Sequence, residues 1–215
     1  MLKEVRLLLL RHGNTFKDNE TPYQIGYQTD LPLTQRGLEQ ASLFAAFLKK
    51  QAIVPATIYS GSLQRQQQTA HLLWQSFPQA NFMTNTFALN EIDYGKWEGL
   101  TANEIQKNWL AEHRAWEEEG KWPENIFKNS LAFHLNELKN WLNELCYQHT
   151  AGSTIVAISS NGIFRLLLRL ITNDKLMYGK VKTGHYCDLQ LKGTAIFIQA
   201  WNCSPPHLSI EKVLQ

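Results

Sequence analysis

The sequence predicts an α/β fold, with a mostly parallel central sheet flanked by helices on both faces. Three observations lead there. Val5–Leu10 and Thr154–Ser159 are short, largely apolar runs, the mark of strands buried on both sides. Between such runs lie helical stripes, notably Leu38, Ala41, Ala45 and Leu48, then Leu131, Leu135, Leu138, Leu142 and Leu145. Strands that alternate with helices build parallel sheets, and such sheets bind ligands beyond the carboxyl ends of their strands.

The first strand, Val5–Leu10, runs directly into Arg11-His12-Gly13-Asn14-Thr15, which places these polar groups at a strand end. Asn14–Leu33, with Pro22, Gly26 and Pro32, reads as a long surface loop, and Thr34 caps the helix that follows. A short strand, Thr57–Ser60, passes through Gly61-Ser62 into a helix reaching about Phe77, and Phe82–Leu89 is expected to be a third strand. Thr101-Ala102-Asn103-Glu104 has the pattern of a capping box and starts another helix. From about Asn108 to Pro123 the texture changes to Trp109, Trp116, Trp122 and the acids Glu117–Glu119. This stretch reads as a lid or flank, its acids a solvated face and its tryptophans internal packing, with one able to line an entrance. The Leu131–Leu145 stripe, the Thr154–Ser159 strand, the turn Ser160-Asn161-Gly162 and the apolar helix Ile163–Ile171 come next. Strands near Asp188–Lys192 and Ala195–Trp201 close the chain. Residues 1–215 thus read as one domain with a helical insertion around 100–130.

Composition narrows the function classes. A hydrophobic content of 44% supports a substantial core. The formal charge of +2 comes without a basic run, which argues against a nucleic-acid partner. The apolar stretches Leu7–Leu10 and Phe164–Ile171 are too short to span a bilayer, and Lys3, Glu4 and Arg6 interrupt any signal-peptide pattern. Cys146, Cys187 and Cys203 are odd in number and widely spaced, as expected of reduced thiols in a cytoplasmic protein. No cofactor is called for, and no cluster has the spacing of metal ligands. A homodimer is compatible with all of this.

The strand ends carry the chemistry. Arg11 and His12 leave the first strand, Arg65 lies early in the helix after the second, and Glu91 and Asp93 precede a Gly95–Gly99 turn. Two guanidiniums aimed at one cavity suit a tetrahedral dianion. A neutral histidine between them is a competent nucleophile toward phosphorus, and a nearby carboxylic acid can protonate the leaving alkoxide. Glu91 is preferred to Asp93 as that acid by spacing. The expected partner is a small phosphorylated substrate or inorganic phosphate.

These residues resemble a known family. Leu10-Arg11-His12-Gly13-Asn14-Thr15 looks like the Arg-His-Gly-x-Thr signature of the histidine phosphatases, whose fold is phosphoglycerate mutase-like. Gly26, Asp30, Leu33-Thr34, Gly37 and Gln40-Ala41 resemble its first loop and helix. Ser60 through Thr69-Ala70 resembles its Arg-bearing element, Leu89-Asn90-Glu91 with Gly95–Gly99 its acid segment, and Trp201-Asn202 its closing strand. The resemblance implies that His12 is the nucleophile, Arg11 and Arg65 the phosphoryl clamp and Glu91 the proton donor. Asn14, Thr15 and Gly26 would belong to the phosphate pocket.

Two departures stand out. The family carries a second histidine after a late strand, and the matching stretch here reads Ser159-Ser160-Asn161-Gly162. Either Ser160 or Asn161 holds that place and would serve the phosphate as a neutral donor. Losing one preorganised donor of this kind costs on the order of a hundredfold in rate. A slow or specialised phosphatase is the first reading, and a phosphate-binding relative with a sensing or scaffold role the second. An engineered replacement is the third. His185, before a late strand, is a candidate for rescue. The second departure is Gly26-Tyr27-Gln28-Thr29-Asp30, which lacks the Arg that mutases offer a substrate carboxylate, so hydrolysis is favoured over a phosphoglycerate mutase reaction. His71, His113, His134, His149 and His207 read as surface or helix residues.

Overall fold

The computed structural model describes residues 3–172 and 179–206. Its strands are β1 (Glu4–Arg11), β2 (Thr57–Ser60), β3 (Asn81–Met83), β4 (Thr154–Ser159), β5 (Tyr186–Lys192) and β6 (Ala195–Cys203). Its helices are α1 (Gln35–Lys50), α2 (Gln64–Ser76), α3 (Ala102–Glu119), α4 (Leu131–Gln148) and α5 (Asn161–Thr172). The sheet runs β3-β2-β4-β1-β5-β6. Its first four strands are mutually parallel, and β5 and β6 add an antiparallel edge.

The two-residue period of β1 sorts its leucines onto opposite faces. Leu7 and Leu9 join Leu138, Leu142 and Leu145 of α4 and Phe164 and Leu167 of α5. Leu8 and Leu10 join Phe44 and Leu48 of α1 and Ala70 and Leu73 of α2. All four β1 leucines are at most 1% exposed. Burial of each is worth about 1.5–3 kcal/mol relative to exposure, so β1 anchors both layers at once.

Helix starts follow the sequence signals. Thr34 and Ser130 each accept a bond from the backbone three residues on, and Thr101 with Glu104 completes a reciprocal capping box. The expected third strand is cut short: β3 ends at Met83, and Phe87–Leu89 forms a 3-10 turn. Asn85, at φ +63°, takes the backbone out of the extended region between them. α5 begins at Asn161, two residues before the expected Ile163. No helix among the described residues is long and apolar enough to cross a membrane. His207 lies outside the described residues.

Candidate active site

Parallel registry brings the expected strand ends together. Arg11 of β1 lies beside Ser159 of β4, and Ser60 of β2 lies beside Ile158. The His12 N–H then donates to the Ser159 carbonyl at 3.1 Å, and the Gly184 N–H caps the carbonyls of Arg11 and His12. Past the turn the chain meets α1 so closely that a Cβ at Gly13 would lie 2.2 Å from the Gly37 carbonyl oxygen. A Cβ at Gly37 would lie 2.3 Å from that of Asn14. Both positions need glycine for close approach.

Beyond this edge opens a cavity of about 440 Å³ whose wall includes Arg11, His12, Asn14, Thr15, Glu91 and Asn161. His12 Nδ1 lies 2.8 Å from the Gly13 carbonyl, which can only accept. Nδ1 therefore carries the proton and Nε2 keeps the lone pair. Burial, then the charges of Arg65 and Arg11, hold the imidazole pKa well below its ordinary value. The ring is neutral at neutral pH.

Arg11 stands in the cavity wall with Nη1 on the Val181 carbonyl at 2.6 Å. Arg65, the expected second half of the clamp, is bonded to two backbone carbonyls. It is fully buried behind the wall, donating from Nη1 to Thr29 O at 2.9 Å and from Nη2 to Gly26 O at 3.0 Å. Its charge still lowers the His12 pKa and opposes the rise at Glu91. Gly26 is likewise turned from the cavity. Its carbonyl serves Arg65, its N–H serves Glu98 at 2.9 Å, and a Cβ there would collide with that carboxylate.

Glu91 is buried, with Oε1 accepting from the Ile92 N–H at 2.9 Å and the Gly162 N–H at 3.0 Å. Burial raises its pKa against the pull of Arg65, as a proton donor requires. Asp93 lies outside the main cavity, accepting from Gly95 N–H and Gln28 Nε2. It lines a second cavity of about 90 Å³, which Glu91 also faces. His134 closes that cavity; it is a buried helix residue rather than a surface one, and burial pushes its pKa down to about 4.

At the place of the second histidine the two candidates part. Ser160 is fully buried and absent from the cavity wall, its hydroxyl accepting from Gln66 Nε2 at 2.9 Å. Gln66 also donates to the Leu89 carbonyl and fills the space behind β4. The Ser160 hydroxyl, expected to meet phosphate, is thus engaged by Gln66. Asn161 does line the cavity, and its Oδ1 accepts from the Val181 N–H at 3.0 Å. His185 bonds the Asn202 carbonyl through Nδ1 and is not part of the wall. Asn14 accepts at Oδ1 from the Thr183 hydroxyl.

The opposite wall was reached by the sequence reading only in a tryptophan able to line an entrance. It holds Tyr94, Trp116, Glu117, Arg165 and Lys180. Burial raises the Tyr94 pKa well above 10, so this phenol is neutral. The Arg165 guanidinium lies 3.8 Å over the Trp116 ring and donates to Glu117 Oε1 at 3.0 Å and to the Trp116 carbonyl at 2.6 Å. Lys180 Nζ bonds the other Glu117 oxygen. Burial works to raise the Glu117 pKa, but Lys180 and Arg165 outweigh it and hold the carboxylate ionised. Glu117 is therefore not part of a solvated acidic face. One signal was available: Arg165 follows Asn161 by four residues, on the same face of α5.

Known proteins resemble this chain over much of its length. The family model of the histidine phosphatase superfamily (branch 1) matches residues 7–204. Phosphoserine phosphatase 1 of Hydrogenobacter thermophilus is 30% identical over 156 residues, 72% of this chain and 70% of that protein. A 2,3-bisphosphoglycerate-dependent phosphoglycerate mutase of Parvibaculum lavamentivorans is 30% identical over 104 residues, 48% of this chain and 49% of that one. The solved structure of a mycobacterial glucosyl-3-phosphoglycerate phosphatase superposes with TM-score 0.79 at 22% identity, covering 94% of this chain and 100% of that one. The mycobacterial protein has also been solved with vanadate and with inorganic phosphate.

Proposed function

The chain belongs to the histidine phosphatase superfamily, branch 1, and from that premise we propose that it hydrolyses a small phosphorylated metabolite through a phosphohistidine on His12. One observation carries the reading: a neutral His12, its Nδ1 proton committed to the Gly13 carbonyl, shares a cavity with Arg11 and a buried Glu91.

In the first half-reaction the Nε2 lone pair forms the N–P bond as the P–O ester bond breaks, and Glu91 gives its proton to the leaving alkoxide. In the second, Glu91 takes a proton from water as its oxygen displaces His12 from phosphorus, which regenerates the acid. Arg11 in the wall and Arg65 behind it supply positive potential to the phosphoryl oxygens throughout. Asn161 stands where a neutral donor can meet them, and Asn14 and Thr15 complete the pocket rim.

The test is rapid-quench labelling with a phosphorus-labelled substrate. An acid-labile, alkali-stable label is expected on the parent and absent from His12→Ala. Equal turnover by the two proteins would remove this mechanism. A second reading, a phosphate-binding protein with a sensing role, draws on Ser160 being bonded away from the cavity, which leaves no charged group at the second histidine's place. It predicts saturable phosphate binding with turnover no faster than that of His12→Ala.

A further inference from the structure

The carboxyl of Glu91 has a second face. The main cavity and the smaller one share a single wall residue among those described, and it is Glu91. The smaller cavity, of about 90 Å³, is bounded by this residue, by Asp93, by His134 and Glu137 of α4, and by Tyr27 and Phe87, which are exposed to solvent. That size gives room for a few waters, and the wall offers them polar partners.

Two groups in that wall have bonding capacity to spare. His134 is 9% exposed, and its Nε2 has no hydrogen-bond partner within the protein. A buried nitrogen left so is costly, and water is the ordinary remedy. Glu91 Oε1 accepts two backbone N–H bonds, from Ile92 at 2.9 Å and Gly162 at 3.0 Å, whereas Oε2 has only a longer share of the Gly162 N–H at 3.3 Å. Oε2 is thus the oxygen left to carry the proton and to take a further bond. The charges facing Glu91 are Arg11 from β1 and Arg65 from α2, which favour its ionised form, and Tyr94 beside it is a neutral phenol. Asp93 opposes the fall of the His134 pKa, but burial prevails and the imidazole stays neutral. Among the described residues no group of His, Cys, Asp and Glu side chains is placed to hold a metal ion, so the fitting occupant is water.

Resting on Glu91 as the acid, we infer that the smaller cavity is a hydration site built behind it. His134 is its positioning residue, and Nε2 anchors a water that also bonds Glu91 Oε2. Substrate in the main cavity shuts the carboxyl off from solvent on that side, and this water keeps the other side wet. When the proton leaves for the alkoxide, the water donates an O–H to the carboxylate that forms, which favours the charged state. The proton balance of the reaction is unchanged, because Glu91 regains its proton from the hydrolytic water. The exposed end of the cavity lets the acid exchange protons with bulk solvent while substrate is bound.

A crystal structure of the unsubstituted protein tests the site directly. Ordered water within hydrogen-bond reach of both His134 Nε2 and Glu91 Oε2 is expected; a dry cavity, or one holding a metal ion, would overturn the inference. In solution the readout is the alkaline limb of the pH–rate profile with glycerol 3-phosphate. His134→Phe keeps an aromatic ring but removes the nitrogen, so the carboxylate loses a donor and Glu91 holds its proton to higher pH. The limb should move up by about one pH unit. His134→Gln, which returns a polar group, should bring it back toward the parent. A lowered plateau with the limb unmoved would mark His134 as merely structural and overturn the inference. Labelling of His12 in the parent is scored separately. If the label is absent while the water is in place, the hydrolytic reading falls and the hydration site stands; a labelled His12 beside a dry cavity removes only the inference.

Discussion

The two walls of the main cavity are built by different means. The inner wall, with Arg11, His12 and Glu91, is fixed largely by backbone: parallel registry, the His12 N–H on Ser159, and two backbone N–H groups on Glu91. The outer wall is tied together through the side chains of Glu117, Arg165 and Lys180, which come from three separate segments. A group held by backbone keeps its place whatever its neighbours become. A group held by another side chain is lost or re-aimed by one substitution. The inner wall is thus the part of the cavity that one substitution disturbs least, and the outer wall the part that one substitution disturbs most.

Experiments can break this division, beginning with the largest expected effect. His12→Ala should lower turnover by roughly 10⁴-fold or more in a steady-state phosphate-release assay, since covalent catalysis ends with it. Glu91→Gln should slow alkyl phosphates by about 10²–10⁴-fold and p-nitrophenyl phosphate much less, because a good leaving group needs no acid. In the parent, the raised Glu91 pKa means that the rate falls as pH rises through that value and the donor loses its proton. The depressed His12 pKa means that the acid side shows no loss near 6.5 from nucleophile protonation. A pH–rate profile with an acid limb at 6.5 would contradict the buried, neutral imidazole.

Ser160→His alone is expected to give no gain, because Gln66 occupies the space an imidazole would need. Combined with Gln66→Ala it should raise turnover by about tenfold or more, as a donor is restored. A gain from the single change would show the inner wall to be more pliable than its backbone bonds imply. The smallest effect concerns α3. Thr101→Ala removes the capping box and should cost about 1 kcal/mol in chemical denaturation.

The same contrast explains what could be read from sequence. The β1 and β4 runs, the Thr34 cap and the Thr101–Glu104 box are local patterns, and each forms the expected element. Strand ends follow from topology, so Arg11 and His12, Ser60, and Ser160-Asn161 could be gathered on one edge before any coordinates. Side-chain direction could not. Arg65 lies where spacing puts it, yet its guanidinium turns to the carbonyls of the 26–29 loop, which adjacency in sequence does not reveal. Glu117 sits among three consecutive acids and reads as solvent-facing. Only α5, which brings Arg165 from 48 positions away, makes it part of a cavity. Phe82–Leu89 had the composition of a strand, and one left-handed residue, Asn85, ended it.

The contact between Gly13 and Gly37 has a consequence for how this molecule can vary. Crowding at most positions is relieved by trimming a neighbour, but here each residue is already the smallest there is and the obstacle is main chain. A methyl added to either one can be accommodated only by prising α1 away from the tip of β1, and no second change nearby can make room. Randomising both codons together and selecting for turnover should therefore return the parental pair.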